Sequence, residues 1–182
     1  VILMDQVDCE NTGVITAPVL DTLRAHASGK LIIADSRRGV AHYPPCTFKM
    51  NASELGRMFE TSAPLDDSEI RKLAAELAKR NGCPAVVTMA QKGLLAASPG
   101  GCVFSVPALP LRGPIDIVGA GDSVTANLAA ALASGAELQE ALTLAALASS
   151  VVIHQLGTSG AASVEQMRLL LNRDAGNVTD RA

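Results

Sequence analysis

The run Asp116-Ile-Val-Gly-Ala-Gly-Asp122-Ser carries glycines 119 and 121 between two carboxylates, and Val-Thr-Ala-Asn-Leu-Ala-Ala-Ala-Leu-Ala follows without a break. That order places glycines and an acid at the start of a long, alanine-rich helix. The first N–H groups of a helix have no internal partner. Together with the helix dipole they attract anions. Glycine lets the backbone approach a phosphate with no Cβ in the way. A carboxylate at the same point would repel a phosphate. It makes chemical sense if it takes a proton from a hydroxyl that attacks the phosphate. The combination points to phosphoryl transfer, where positioning and charge stabilisation do most of the catalysis.

Two other phosphate loops are excluded by spacing. A dinucleotide fingerprint needs a third glycine where this chain has Val124, and an acid about 20 residues later at a strand end. A Walker A loop needs Gly-Lys-Ser/Thr, which is missing. On the octet alone, a plain glycine turn with Asp122 as the helix cap stays open.

Three further groups are candidates. Asn51-Ala-Ser-Glu54 fits a capping box, and equally a pair ordering waters around a phosphate-bound Mg²⁺. Thr88-Met-Ala-Gln-Lys-Gly93 follows an apolar run and reads as a nucleotide loop or as the turn into a hairpin. Asp35-Ser36-Arg37-Arg38 puts an acid and two guanidiniums at a strand end, suited to phosphate or to a solvated charge cluster. His26, His42 and His154 do not fall at metal-ligand spacings. Cys9, Cys46, Cys83 and Cys102 are widely spaced and read as small buried apolar residues of a reducing, cytoplasmic compartment.

The elements that must hold these residues alternate. Apolar runs at Val1–Met4, Leu31–Asp35, Thr47–Met50 and Ala85–Met89 read as buried strands. Helices are expected after Thr16, at Asn51, from Asp66 or Asp67 to Asn81-Gly82, over Ser123–Ser134, over Glu137–Gln155, and from a Ser163/Gln166 capping box. Leu94–Ala97 and Cys102–Val106 flank Pro99-Gly-Gly as a hairpin, and the tail after Asn172 reads as frayed. Alternation of this kind argues for an α/β fold with a mostly parallel sheet covered on both faces.

The 182 residues are 48% apolar and 18% charged, with a net charge of −3, so the chain is globular. It has neither the basic patch nor the aromatic platforms of a nucleic-acid binder. Its most apolar stretch, Ala141–Leu156, is broken by Thr143, Ser149, Ser150, His154 and Gln155, which argues against a membrane span. The opening Val-Ile-Leu-Met reads as a strand already under way, and hence as a portion of something longer.

These motifs, in this order, resemble the PfkB/ribokinase family of carbohydrate kinases. Asp116–Asp122 looks like that family's Asp-Thr-x-Gly-Ala-Gly-Asp motif, Asn51–Glu54 like its Asn-x-x-Glu, and Val87–Gly93 like its nucleotide loop. Within the family, the kinase half of bacterial ADP-heptose synthesis enzymes looks most similar, over Asp116–Thr158 and Asp35-Ser-Arg. The resemblance implies a ribokinase-like three-layer α/β/α fold whose N-terminal part is absent, with residues 1–182 forming its nucleotide-binding and catalytic portion. It implies Asp122 as the base and an anion hole from Gly119, Ala120, Gly121 and Asp122. It implies Mg²⁺–ATP served by Asn51, Glu54, Thr88 and Gly93, with Ala146 and Ser149 at the adenine. Asp35, Arg37 and Asp122 would meet the sugar, possible partners being that small molecule and a second copy of the full-length protein. Asp116, Val118 and Gly157 would hold a monovalent cation such as K⁺. Ile117, Ala90 and Met50 depart from the usual Thr, Gly and Pro. A non-catalytic ATP-binding remnant and a kinase for a vitamin-type alcohol are the alternatives.

Overall fold

A computed structural model describes residues 1–37, 39–40 and 42–179, with side chains up to residue 172. Arg38 lies outside the described residues. The chain divides into two compact units, Val1–Ser105 and Val106–Ala182. The proline-rich stretch from Pro107 to Pro114 begins at that division.

The first unit contains β1 (Ile2–Asp5), α1 (Ala17–His26), β2 (Ile33–Ser36), β3 (Thr47–Asn51), α2 (Ala52–Met58), α3 (Asp67–Asn81), β4 (Ala85–Thr88), β5 (Leu94–Ala97) and all but the last residue of β6 (Val103–Val106). The strands form one sheet in sequence order. β1 to β4 run parallel, and β5 returns antiparallel to β4. Ser98 N–H donates to Cys102 O at 2.8 Å and so closes the expected hairpin between β5 and β6.

Side chains alternate across a strand, so register decides which residues share a face. Leu3 pairs with Ala34, Ala34 with Phe48, Phe48 with Ala85, and Ala85 with Ala97. That row packs with Leu20 of α1, Leu55 of α2 and the Ile70/Ala74/Leu77/Ala78 stripe of α3 in one buried cluster. The α3 stripe follows the helical period, which is why this face holds three helices. Truncating fully buried Leu55 to alanine would cost about 2–5 kcal/mol. Asp66 and Glu69 form a reciprocal capping box at the start of α3, and Gly82, at φ 70, ends it in the left-handed region.

The second unit contains α4 (Ala120–Ala133), α5 (Leu138–Val152) and α6 (Val164–Thr179). Buried Val124, Leu128 and Ala131 of α4 and Ala141, Leu142 and Ala145 of α5 are small or compact, and the two helices pack closely together. Leu147, Ala148 and Val151 of α5 meet Met167 and Leu170 of α6. The Ser163/Gln166 capping box is present, with Ser163 N–H donating to Gln166 Oε1 at 2.8 Å and Gln166 N–H to Ser163 Oγ at 3.2 Å.

Three boundaries differ from the sequence expectation. α4 starts at Ala120 instead of Ser123, because Gly119 turns the chain at φ 80 and the helix propagates from there. α5 ends at Val152, where His154 and Gln155 N–H donate to Val151 and Val152 carbonyls and tighten the last turn. α6 continues to Thr179, since no proline interrupts it. The cysteines also differ: only Cys46 is buried, Cys83 is half-buried, and Cys9 and Cys102 are exposed. Among the described residues, no helix is long and apolar enough to cross a membrane.

Candidate active site

The glycine loop is held from two sides. Asp116 N–H donates to Ile153 O at 2.8 Å. The Asp116 carboxylate accepts from Val118 N–H at 3.0 Å through Oδ1 and from Gly157 N–H at 3.1 Å through Oδ2. These two N–H groups, Val118 first, hold the Asp116 carboxyl below the usual carboxylate range, against a smaller effect of burial. Asp116, Val118 and Gly157, singled out in the sequence, are therefore brought together by one carboxylate. Gly119 lies against the backbone of Ser159 so closely that a Cβ there would stand 2.1 Å from Ser159 O. At that position glycine is required twice, by the positive φ and by the contact.

Beyond Gly119 the helix begins. Ala120 N–H donates to Ile117 O at 3.1 Å and Ser123 N–H to Gly119 O at 2.9 Å. This corrects the expected four-membered N–H cluster: Ala120 spends its donor on the turn. The N–H groups of Gly121 and Asp122 take no acceptor among the described residues. Asp122 is exposed in the first turn of α4 and does not cap it, since Gly119 occupies the cap position and no side chain closes it. A carboxylate there suits the helix dipole and leaves its oxygens open to solvent. Ala146 is buried and Ser149 half-buried one turn apart on α5.

The segment leading into the loop has an anchor that the sequence reading missed. His154 Nε2 accepts from Arg112 N–H at 2.9 Å, while Nδ1 lies 2.8 Å from Ser150 O. An acceptor at Nε2 assigns the proton to Nδ1. The Arg112 guanidinium also donates to Ser150 O at 2.8 Å. Ring and guanidinium together fasten the chain four residues before Asp116. A histidine adjoining the apolar Val151–Ile153 run was the available signal.

In the first unit, Asn51 and Glu54 form the capping box in full. Asn51 N–H donates to Glu54 Oε2 at 2.7 Å, and Glu54 N–H to Asn51 Oδ1 at 2.8 Å. Glu54 Oε1 and Asn51 Nδ2 carry no bond among the described residues. Thr88 is the register partner of Asn51, and its Oγ1 donates to Met50 O at 3.5 Å. Gly93 is buried at φ 94 and its carbonyl accepts from Met89 N–H at 2.8 Å. Ala90, standing where the family pattern has glycine, is held at φ 51, a left-handed conformation that costs a non-glycine residue about 1–2 kcal/mol.

Asp35 requires a correction. It is 6% exposed and its Oδ2 accepts from Lys49 Nζ at 2.6 Å, both side chains being buried. The carboxylate is compensated inside the fold and is not presented to a ligand. Arg37, two residues on, is exposed. The neighbouring strand end holds a second buried acid: Asp5 accepts from Ser36 Oγ and Tyr43 Oη, each at 3.2 Å. Sequence reasoning missed Lys49, Asp5 and Tyr43. A lone lysine between Phe48 and Met50 in an apolar strand, and an acid closing β1, were the signs.

Together the parallel sheet, its helices and the glycine-loop helix define a ribokinase-like α/β protein. The fold matches phosphofructokinase-2 from Escherichia coli in complex with potassium, with a TM-score of 0.77 at 21% identity over 94% of this chain and 56% of that one. It also matches Arabidopsis thaliana ribokinase complexed with ribose and ATP, with a TM-score of 0.72 at 21% identity over 85% of this chain and 51% of that one. The sequence model of the pfkB family of carbohydrate kinases matches residues 22–165, and the chain belongs to that family. The bifunctional protein HldE of Bradyrhizobium sp. (strain ORS 278) is 32% identical over 169 residues, which is 87% of this chain. The chain spans about a third (33%) of that relative's length.

Proposed function

We propose that this chain carries the nucleotide-binding and catalytic portion of an ATP-dependent sugar kinase. One observation supports this reading above the others. Asp122 stands exposed and uncommitted in the first turn of α4, next to the unspent N–H groups of Gly121 and Asp122. A carboxylate there takes the proton from an acceptor hydroxyl. The two N–H groups receive the charge that builds on the transferring phosphoryl group.

The residues fit the small ligands that the family implies. Mg²⁺ keeps most of its waters, and Glu54 retains one carboxylate oxygen to hold such a water while the other caps α2. Mg²⁺, when bound with ATP, neutralises phosphate charge. Asn51 Nδ2 serves as a donor to a phosphate oxygen, Thr88 and Gly93 flank the nucleotide, and Ala146 and Ser149 face the adenine. The carbonyls of Asp116, Val118 and Gly157 accept no hydrogen bond among the described residues, and such oxygens suit K⁺. The E. coli phosphofructokinase-2 of similar fold is described in complex with potassium. Arg37 meets an anionic group of the acceptor. The acceptor class that best fits an exposed arginine is a sugar phosphate, with a heptose 7-phosphate the first to try.

The test uses Mg²⁺–ATP with a panel of sugars and sugar phosphates, following ADP release and the mass of the acceptor. Acceptor-dependent ADP release with a phosphorylated product is expected. ATP binding without transfer to any acceptor would overturn the kinase reading in favour of a nucleotide-binding remnant.

A further inference from the structure

At the other end of the sheet from Asn51 and Thr88, two thiols enter neighbouring strands. We propose that Cys46 and Cys83 form an intramolecular disulfide site, reached through exchange with a small disulfide such as oxidised glutathione.

The register carries the inference. Phe48 pairs with Ala85, and Phe48 N–H donates to Pro84 O at 3.0 Å. The pairing of the two strands begins at Phe48 and Ala85, and the same register carried two residues further back would set Cys46 opposite Cys83. In such a ladder the Cys46 carbonyl would accept the N–H of residue 84, but proline has none. Asn81 Nδ2 supplies the missing donor, at 2.6 Å from Cys46 O. That bond and the one from Phe48 N–H to Pro84 O hold residues 81 and 84, on either side of Cys83, beside Cys46 and Phe48. Alternation puts Cys46 on the face of Phe48 and Met50, and the pattern of β4 continued back past Pro84 would put Cys83 on that of Ala85 and Val87. Those two rows are one face, because Cys46, Phe48, Met50, Ala85 and Val87 all belong to the same buried cluster. Neighbouring strands lie about 4.8 Å apart. A disulfide spans Cα separations of roughly 4.4–6.8 Å. The thiols also sense each other: burial, and then the charge of Cys83, push Cys46 up to about 12. Both cysteines are free thiols here.

The chemistry runs through Cys83, which is the more accessible. Its thiolate attacks one sulfur of oxidised glutathione, forming a mixed disulfide and releasing one glutathione thiolate. Capping removes the charge that opposes ionisation of Cys46. The Cys46 thiolate then attacks the Cys83 sulfur, the Cys46–Cys83 bond forms, and the second glutathione leaves. Two protein thiols lose two electrons and two protons, and one oxidised glutathione becomes two thiols. Burial also raises the Cys83 thiol, so the first step is slow at neutral pH and accelerates as pH rises. The bond would tie together the starts of the two strands whose far ends carry Asn51 and Thr88.

The experiment uses the full chain with Cys9→Ser and Cys102→Ser, which removes the exposed thiols. The protein is equilibrated in oxidised and reduced glutathione at several ratios, then analysed by intact mass and peptide mapping. A species lighter by two hydrogens, carrying no glutathione and linking the Cys46 and Cys83 peptides, is expected to form reversibly. Adding Cys46→Ser should stop the reaction at a glutathione adduct on Cys83. Cys46→Ala serves the same purpose should the serine prove too polar for the buried site. A stable glutathione adduct on Cys83 with Cys46 present, or no reaction at either thiol in alkaline buffer, would overturn the proposal. Neither outcome bears on phosphoryl transfer, which uses neither thiol.

Discussion

A Cβ on Gly119 would stand 2.1 Å from the carbonyl oxygen of Ser159. That contact fixes the glycine loop against the turn between α5 and α6. It also sets where α4 begins, and so where Asp122 sits. Gly119→Ala meets two penalties: a left-handed φ of 80 and a main-chain atom that cannot move aside. The loss should exceed ~4 kcal/mol, in the range kept for backbone strain and overpacking. Thermal denaturation should show a large drop in melting temperature. A variant as stable as the parent would mean that the loop is not packed on Ser159.

Glu54 has two possible duties, and one substitution separates them. Glutamine can still accept the Asn51 N–H, so the capping box survives Glu54→Gln and stability should change by less than about 0.5 kcal/mol. The charge offered to a Mg²⁺-bound water is lost. The Mg²⁺ concentration for half-maximal turnover should rise roughly fivefold, equivalent to about 1 kcal/mol. Unchanged Mg²⁺ dependence would leave Glu54 as a cap alone.

The Lys49–Asp35 pair is buried on both sides. Lys49→Met strands a carboxylate inside the protein, with an expected loss of about 3–5 kcal/mol in urea denaturation. Lys49→Met with Asp35→Leu should recover most of that loss, because buried pairs are often replaceable by apolar side chains. Equal losses in the single and double variants would contradict the assignment of this carboxylate to internal compensation.

Asp116 gives the loop a pH dependence. Its folded carboxyl titrates below its ordinary value, so the fold favours the ionised form. The resulting stability is fully present above the ordinary carboxylate range of about 4. It is lost as pH falls through the lowered value. Asp116→Asn lacks this contribution at every pH. Denaturation midpoints of parent and variant should therefore separate at neutral pH and converge in acid. A constant gap across the titration would remove the Val118 and Gly157 hydrogen bonds from the explanation.

Much of this architecture was legible in the chain. The helix start at Asp66 or Asp67, the Ser163/Gln166 box, the strands at Thr47 and Ala85, and the hairpin at Pro99 follow from local spacing, and local spacing is what sequence displays. The start of α4 was not, because a glycine at φ 80 begins a helix as readily as it ends one. The burial of Asp35 was not, because Lys49 reaches it only through the pairing of β2 with β3. Ala120 was assigned to the anion hole because a motif does not show that its N–H closes a turn onto Ile117. Each miss is a long-range or main-chain matter that residue types alone do not encode.

Asp122 bears the central claim, and Asp122→Asn in the full-length protein tests it most directly. The exchange keeps shape and removes the proton acceptor. Transfer of the ATP γ-phosphate to the acceptor should fall by roughly 10²–10⁴-fold, the usual worth of a general base. ATP binding, measured by calorimetry on the same sample, should stay within about twofold of the parent. Turnover close to the parent's in a protein that still binds ATP would contradict the assignment of Asp122 as the base.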